Sequence, residues 1–319
     1  MINAFKSELN SYMASKEPFV FIIDFEMSRP RIWRLSEVDP NELIFEFNGK
    51  SQSQNQIGQA SIKPTVVTLD SYKSKFDFVM DRLLYGDSFL TNLTIKTEIH
   101  TSLSLQDLFY ASKARYKLLL KDNFLVFSPE TFIRIHNGEI FSYPMKGTID
   151  ASIPNAEMIV LADQKELAEH VTIVDLIRND LSMIASDVRV TRFRYIDRIQ
   201  ARDKALLQVS SEIRGKLLPE FFADPASSLL SLLPAGSVSG APKAKTLEVI
   251  RKAEGEERGY YTGICGLFDG QTLDSGVMIR FIEQSGSHLY YRSGGGITTQ
   301  SDVISEFKEV QDKIYVPVN

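Results

Sequence analysis

Two pairs of glutamates stand three residues apart in segments with helical spacing. Glu166 and Glu169 form one pair, and Glu306 and Glu309 form the other. A spacing of three places both carboxylates of a pair on one helix face, where like charges repel each other. A divalent cation held between the two helices would reverse that repulsion, and Mg²⁺ prefers such hard oxygen ligands. The pairs therefore predict a magnesium site, with two solvated helix faces as the simpler interpretation of either pair alone.

A lysine follows an apolar, strand-like segment in the run Pro-Met-Lys-Gly-Thr at residues 144–148. The default interpretation of Lys146 is an exposed side chain. A lysine that faces a closed apolar pocket has its pKa lowered by burial and can act as a nucleophile. Glycine-rich turns at 234–243 and 294–296 could offer backbone N–H groups to an anion. They could equally be an ordinary helix entry and a bend.

Hydrophobic periodicity predicts an α+β chain, because hairpins mix with helices and strict strand–helix alternation is absent. Strands are predicted at 19–25, 43–47, 88–99, 124–128, 131–136, 139–143, 262–268, 276–283 and 288–293. Helices are predicted at 71–84, 105–119, 156–184 with a break near Asp163, 244–253 and 302–314. Asn137 and Gly138 predict a hairpin turn, and the polar stretch 48–61 predicts a surface loop.

The composition excludes several classes of protein. The chain has 319 residues, a net charge of −5 and one cysteine, Cys265. The negative net charge gives no indication of nucleic-acid binding. The apolar runs are too short for a membrane span. One cysteine excludes a disulfide framework. We therefore expect a soluble, cytoplasmic protein that binds neither nucleic acid nor a membrane.

Taken in order, the motifs resemble the chorismate-binding region shared by anthranilate, aminodeoxychorismate, isochorismate and salicylate synthases. The segments that carry the resemblance are SPETF (128–132), PMKGT (144–148), ELAEHVTIVDLIRNDL (166–181), PAGSVSGAPK (234–243), RGYYTGICGLFD (258–269) and SGGGIT (293–298). The resemblance implies the family's α+β fold, with antiparallel or mixed sheets in a layered core and flanking helices. Residues 1–87 would form a shortened N-terminal part, and 88–319 the catalytic region, within one continuous domain.

The resemblance also implies roles for single residues. The magnesium ligands would be Glu166, Glu169, Glu306 and Glu309. The substrate-binding residues would be Thr148, Gly240, Arg280, Gly295, Gly296 and Lys313. Arg280 and Lys313 would hold the enolpyruvyl carboxylate of chorismate, for which a guanidinium is well suited. Glu130 would protonate the leaving C4 hydroxyl, a role that requires burial to raise its pKa.

Two positions distinguish among the family's reactions. Relatives that make 4-amino-4-deoxychorismate typically carry lysine where Lys146 stands, and that lysine would attack C2 of chorismate before ammonia adds at C4. Relatives that add water carry a lysine general base where Leu90 aligns, and leucine cannot activate water. One departure from the family is Gln208, which aligns with a histidine near the leaving group and cannot exchange a proton at neutral pH. We include Gln208 among the catalytic candidates for its capacity to hydrogen-bond.

The motifs contain no glutaminase machinery, so ammonia is expected from a separate glutamine amidotransferase subunit. The predicted reaction converts chorismate and ammonia to 4-amino-4-deoxychorismate for 4-aminobenzoate and folate synthesis, with Mg²⁺ as cofactor. The alternatives are anthranilate synthase component I, then isochorismate synthase, or a chorismate-binding protein without activity. Anthranilate synthesis is disfavoured because no Leu-Leu-Glu-Ser-like tryptophan-binding motif precedes Ser88.

Overall fold

The structure is a computed structural model that describes residues 1–48, 50–51, 61–201 and 204–317. Its strands are, in chain order, β1 (Phe19–Ile23), β2 (Arg31–Arg34), β3 (Leu43–Phe47), β4 (Lys50–Ser51), β5 (Lys63–Pro64), β6 (Leu90–His100), β7 (Tyr116–Leu120), β8 (Phe124–Ser128), β9 (Thr131–His136), β10 (Glu139–Ser142), β11 (Met145–Asp150), β12 (Ala185–Ala201), β13 (Lys204–Leu217), β14 (Gly240–Ala241), β15 (Ile264–Phe268), β16 (Leu273–Val277), β17 (Phe281–Ser285) and β18 (His288–Ile297). Its helices are α1 (Ile2–Ser15), α2 (Leu69–Tyr85), α3 (Leu105–Ala111), α4 (Ala156–Ala162), α5 (Gln164–Ser182), α6 (Pro219–Ala223), α7 (Pro225–Ser231), α8 (Lys243–Glu254) and α9 (Val303–Asp312). The loop predicted at 48–61 falls largely outside the described residues.

The strands form two antiparallel sheets. One has the order β11-β13-β10-β9-β16-β15-β1-β2, with β12 paired to β13. The other has the order β14-β6-β18-β17-β8-β7-β3-β4, with β5 paired to β6. This architecture confirms the predicted α+β class and selects antiparallel over mixed sheets.

Strand β1 shows how the layers are built, because all five of its side chains are buried. Val20 and Ile22 face the second sheet and pack with residues of β3, β7 and β8. Phe19, Phe21 and Ile23 alternate to the opposite face and pack beneath helices. Burying each such side chain stabilises the fold by roughly 1.5–3 kcal/mol. The core therefore has one layer between the sheets and further layers beneath the helices.

The helices that carry the acidic pairs begin at aspartate caps. Asp163 accepts a hydrogen bond from the backbone N–H of Glu166 at 3.0 Å, and Asp302 accepts one from Ser305 N–H at 2.9 Å. These caps satisfy donors that the first helical turn leaves free. They start α5 and α9 immediately before Glu166 and Glu306. The break predicted near Asp163 is confirmed, since α4 ends at Ala162 and α5 begins at Gln164.

Two predicted elements are wrong. The helix predicted at 105–119 ends at Ala111, and Tyr116–Leu120 is a fully buried strand. The run Tyr-Lys-Leu-Leu-Leu lacks an alternation of apolar and polar residues. Its sequence pattern therefore does not distinguish a buried strand from a helix. The strand predicted at 276–283 is two strands, because the chain turns at Arg280 with a φ of 52°. That turn aims Arg280 away from the sheet ladder.

The largest features missing from the prediction are α1 and the long hairpin of β12 and β13. The hairpin strands pair from Ala185–Leu217 to Ala201–Lys204, with several register shifts. Such irregularities interrupt the alternation that identifies a strand. Among the described residues, no helix combines the length and apolar character needed to cross a membrane.

Candidate active site

A cavity of about 200 Å³ opens between α5, the start of β6 and the segment that follows β18. Lys146 and Glu169 are charged groups in its wall, and Leu90 is an apolar one. The remaining lining residues are Phe89, Lys165, Ala168, Thr172, Ile173, Thr298, Thr299 and Gln300. The wall is thus apolar on the side of β6 and charged where β11 meets α5.

Lys146 lies on β11, and its Nζ atom is 2.7 Å from Glu169 Oε2. Burial lowers the pKa of Lys146, but the carboxylates of Glu169, Glu309 and Glu166 outweigh it, so the pKa is raised overall. The lowered pKa that an apolar pocket would give a lysine is therefore not what the structure gives Lys146. The pocket is acidic at this position, and Lys146 is held as an ammonium ion by Glu169.

The two acidic pairs converge from different helices. A Cβ atom placed on Gly295 would lie 3.4 Å from Glu306 Oε2 and 3.8 Å from Glu309 Oε1. Burial raises the pKa of Glu166, and repulsion from Glu169 and Glu309 adds to it. Burial likewise raises the pKa of Glu306, with further contributions from Glu309 and Glu169. Carboxylates on α5 and α9 therefore repel one another across the site.

Lysine side chains balance part of this negative charge. The Nζ atom of Lys165 is 3.9 Å from both Glu169 Oε1 and Glu306 Oε1, which links α5 to α9. Lys313 Nζ is 2.6 Å from Glu309 Oε1. The carboxylates of both helices are thus turned towards ammonium groups of the same chain.

Glu130 lies between β8 and β9, and its Oε1 atom accepts a hydrogen bond from Ser237 Oγ at 2.5 Å. Burial raises the pKa of Glu130, whereas Ser237, Lys146 and Lys313 each lower it, and the net change is upward. A raised pKa is the direction that a general acid needs at neutral pH.

Arg280 and Lys313 form a cationic corner of the site. The guanidinium of Arg280 lies over the ring of Tyr315, with Cζ 5.0 Å from the ring centroid. Among the described residues, its buried Nε atom has no hydrogen-bond partner. Lys313 donates to the carbonyl of Gly294 at 2.8 Å, and burial lowers its pKa. Two neighbouring, half-buried cations, one of which has an unpaired guanidinium N–H, form a corner that suits an anion.

Comparison with known proteins identifies the family. Residues 34–319 match the family model for chorismate binding enzymes. The chain is 47% identical over 322 residues to an uncharacterised PabA-like protein of Pasteurella multocida, which covers 99% of each chain. A second PabA-like protein, from Haemophilus influenzae, is 46% identical over 98% of this chain and 96% of its own length. The chain belongs to the chorismate-binding enzyme family.

The fold of this chorismate-binding enzyme is also found among solved structures. MenF, the menaquinone-specific isochorismate synthase of Escherichia coli, aligns with a TM-score of 0.75 and 18% sequence identity. The alignment covers 98% of this chain and 80% of that protein. At this identity, the likeness establishes the fold.

The donor set of this family member has the chemistry of a magnesium site. Four carboxylates from two helices are hard oxygen ligands of the type that Mg²⁺ prefers. Within residues 1–48, 50–51, 61–201 and 204–317, however, no three acidic, histidine or cysteine side chains are arranged as a metal site. In this arrangement Glu169 contacts Lys146, Glu306 lies 3.9 Å from Lys165, and Glu309 contacts Lys313.

Of the predicted glycines, Gly240 occupies a position where a side chain would collide, whereas Gly295 has room for one. A Cβ atom on Gly240, with a φ of 145°, would lie 1.8 Å from the carbonyl oxygen of Leu90. Gly295 and Gly296 belong to β18, where they pair with Leu93 and Asn92. The bend that was one interpretation of 294–296 is therefore wrong. Gly295 instead leaves space for the carboxylates of α9.

Thr148 and Gln208 lie on neighbouring strands of the first sheet. They face each other across β11 and β13, Thr148 is exposed, and neither lines the cavity. A register shift between Met145 and Thr148 separates Thr148 from Lys146. The structure gives Gln208 no contact with Glu130, so its catalytic role stays a prediction without geometric support.

Sequence reasoning missed three residues of the site. Lys165 precedes Glu166 and stands four residues before Glu169, which is a spacing that signals an ion pair on a helix. Ser237 is a hydroxyl within the glycine-rich segment, so a closer reading of that segment could have singled it out. Tyr315 gave no signal, because its role depends on how the chain turns after α9.

Proposed function

We propose that this chorismate-binding enzyme is an aminodeoxychorismate synthase, which converts chorismate and ammonia to 4-amino-4-deoxychorismate. The observation that carries the proposal is Lys146, whose amine lines the cavity beside Glu169. A lysine at this place provides a nucleophile that can form a covalent intermediate. Leu90 in the opposite wall offers no group that could activate water, which disfavours isochorismate synthesis.

Chorismate carries two carboxylates, and the site offers a separate anchor for each. Arg280 and Lys313 bind the enolpyruvyl carboxylate, because the Arg280 guanidinium has a buried N–H without a hydrogen-bond partner among the described residues, and its charge adds to burial in lowering the pKa of Lys313. Glu166, Glu169, Glu306 and Glu309 hold Mg²⁺, which when bound polarises the ring carboxylate as a Lewis acid. The ring then lies between these anchors, against the wall that holds Lys146.

The reaction proceeds in two displacements. The Nζ atom of Lys146 forms a bond to C2, both conjugated ring double bonds shift, and the C4–O bond breaks as Glu130 donates its proton to give water. Ammonia then bonds to C4, both double bonds shift back, and the C2–N bond breaks to release the lysine. The proton lost by the new ammonium group returns to Glu130. Attack requires the neutral amine, so the Lys146 ammonium must first pass a proton to an acceptor, and Glu169 Oε2, 2.7 Å away, is the adjacent one.

Ammonia reaches the site from outside this chain. Cys265, the one cysteine of the sequence, is fully buried in β15, and burial raises its pKa to about 12. A buried thiol of this kind is inert as a nucleophile. We therefore propose a separate glutamine amidotransferase as the partner, with free ammonium as its substitute in vitro.

The test is the identity of the product. The purified protein is incubated with chorismate, Mg²⁺ and ¹⁵N-ammonium chloride at mildly alkaline pH, and products are separated and measured by mass and ultraviolet spectrum. We expect ¹⁵N-labelled 4-amino-4-deoxychorismate. Labelled anthranilate would contradict the proposed site of amination, and unlabelled isochorismate would contradict amination itself. Absence of turnover with an amidotransferase present would support chorismate binding without catalysis.

A further inference from the structure

The carboxyl of Glu130 has a single side-chain partner in the described structure. Ser237 Oγ donates to Glu130 Oε1 at 2.5 Å, which lies at the short end of the range for a hydroxyl–carboxylate hydrogen bond. The backbone of Glu130 is fixed separately, because its N–H donates to Ser128 Oγ at 3.1 Å and its carbonyl accepts from Val277 N–H at 3.1 Å. Rotation of the side chain is therefore the freedom that Ser237 restricts.

The turn that carries Ser237 packs closely against α5. A Cβ atom on the preceding Gly236 would lie 2.9 Å from Asp180 Oδ2 and 2.9 Å from Leu176 Cγ. Asp180 is also bound by Lys243 Nζ at 3.0 Å, and Lys243 donates to the carbonyl of Leu232 at 2.9 Å. The turn that carries Ser237 is thus packed on the same helix that carries Glu166 and Glu169.

Charged groups from several elements face Glu130. Lys146 on β11, Lys313 after α9 and Arg280 in the turn before β17 each lower its pKa. Asp180 on α5 lines the same small cavity of about 20 Å³ behind Glu130 and Ser237. The hydroxyl of Ser237 is the group in direct contact with the carboxyl, so its effect can be separated from these charges by substitution.

We propose that Ser237 is a positioning residue for the general acid: it fixes the orientation of the Glu130 carboxyl and favours its ionised form. The proposal rests on the role given to Glu130 under the proposed function. The structural support for it is the contact between Ser237 Oγ and Glu130 Oε1 and the close packing of the turn that carries Ser237. A donor hydroxyl stabilises a carboxylate more than the neutral acid, so Ser237 lets Glu130 release its proton to the leaving group more readily.

The experiment measures the ionisation of Glu130 directly. The infrared C=O stretch of the protonated carboxyl is followed against pH and assigned by its loss in Glu130→Gln. Ser237→Ala should move the midpoint of this band to higher pH, because the donor that favours the carboxylate is gone. The kcat should fall about 10- to 100-fold, as expected for loss of a hydrogen bond to a charged group, with KM for chorismate unchanged.

Two further variants separate positioning from a structural role. Ser237→Thr keeps the hydroxyl and should restore both the midpoint and most of kcat. Ser239→Ala removes a hydroxyl from the same turn that donates instead to Ala235 O at 2.9 Å, and it should leave the midpoint unchanged. An unmoved midpoint in Ser237→Ala, or equal shifts in both alanine variants, would overturn the proposal. Because the band reports Glu130 itself, this outcome does not depend on which product the enzyme forms.

Discussion

Two clusters of buried charge in this protein differ in how completely their hydrogen bonds are satisfied. In one cluster, the guanidinium of Arg258 donates to both oxygens of Glu254, at 2.6 and 2.9 Å. It also donates to the carbonyls of Val238 and Asn92, each at 2.8 Å. Glu254 in turn accepts from the N–H of Thr94 at 2.9 Å. This network ties β6 to the glycine-rich segment.

The cluster in the cavity has the opposite character. Arg280 keeps a buried Nε atom that has no hydrogen-bond partner among the described residues. Burial raises the pKa of Glu166 and Glu306, and neighbouring glutamates act in the same direction, opposed by Lys146 at Glu166 and by the Ser301 hydroxyl at Glu306. The comparison teaches that a satisfied network of buried charge fixes backbone, whereas an unsatisfied one is suited to a ligand. The substitutions below test this distinction.

The largest effect is expected from loss of the metal. Removing divalent ions with a chelator, or Glu309→Ala, should reduce turnover by more than about 10³-fold, because a Lewis acid supplies several kcal/mol of charge stabilisation. The measurement is initial rate against added Mg²⁺. Glu248→Ala, which removes an exposed carboxylate on α8, is the matched control and should keep the wild-type rate. Full activity after chelation would remove the role given to the acidic pairs.

The next largest effect is on stability and separates the two clusters. Glu254→Gln leaves the buried Arg258 without its counter-charge and should lower the free energy of unfolding by about 3–5 kcal/mol. Urea denaturation measures it. Glu306→Gln makes the same exchange at a buried carboxylate whose pKa is raised by burial and by Glu309. The amide oxygen can still accept from Ser301 Oγ, so the cost should be smaller, about 1 kcal/mol or less. Equal losses would show that the two clusters do not differ as described.

A smaller effect is expected at the cationic corner. Arg280→Met removes a guanidinium whose Nε atom has no hydrogen-bond partner among the described residues, so the unfolding free energy should change little. The KM for chorismate should rise about 10- to 100-fold, because a hydrogen bond to a charged group contributes roughly 1.5–3 kcal/mol. Steady-state kinetics and equilibrium binding of chorismate both report it. An unchanged KM would place the enolpyruvyl carboxylate elsewhere.

The smallest effect concerns the lysine that links α5 to α9. Lys165→Met should destabilise the metal-free protein by about 0.2–1 kcal/mol, the range for partly exposed ion pairs. Saturating Mg²⁺ should abolish this difference in thermal unfolding, because the cation replaces the ammonium between the carboxylates. Lys73→Met breaks an exposed pair with Asp77 on α2 and should have the same effect with and without Mg²⁺. If Lys165→Met still lowers the thermal stability in saturating Mg²⁺, the cation does not replace the ammonium group between the carboxylates.

The features that sequence predicted correctly are those with a local cause. The helix break at Asp163 follows from its capping side chain, and the hairpin at Asn137-Gly138 follows from two residues that adopt positive φ. The helix predicted at 105–119 failed because the burial of Tyr116–Leu120 on both faces is a tertiary property. A continuous apolar run carries no information about which partner covers it.

The candidate site shows the same limit. Motif order and the family resemblance predicted Lys146, Glu130 and the four glutamates, and their roles stay predictions. The structure pairs Lys146 with Glu169, whereas no three carboxylates of the described residues are arranged as a metal site. The raised pKa of Lys146 could not be predicted, because it depends on the orientation of Glu169 from a helix that is distant in sequence. Ser237 and Tyr315 were missed for a related reason, since each is defined by the side chain that it contacts.

The central claim is that the amine of Lys146 carries amination at C4. The most direct measurement compares Lys146→Ala with wild type for ¹⁵N incorporation into 4-amino-4-deoxychorismate, with chorismate binding measured in parallel. Lys245→Ala, which alters an exposed lysine on α8, serves as the control. We expect Lys146→Ala to bind chorismate and to lose amination, while the control retains it. Amination by Lys146→Ala at the wild-type rate would contradict the account.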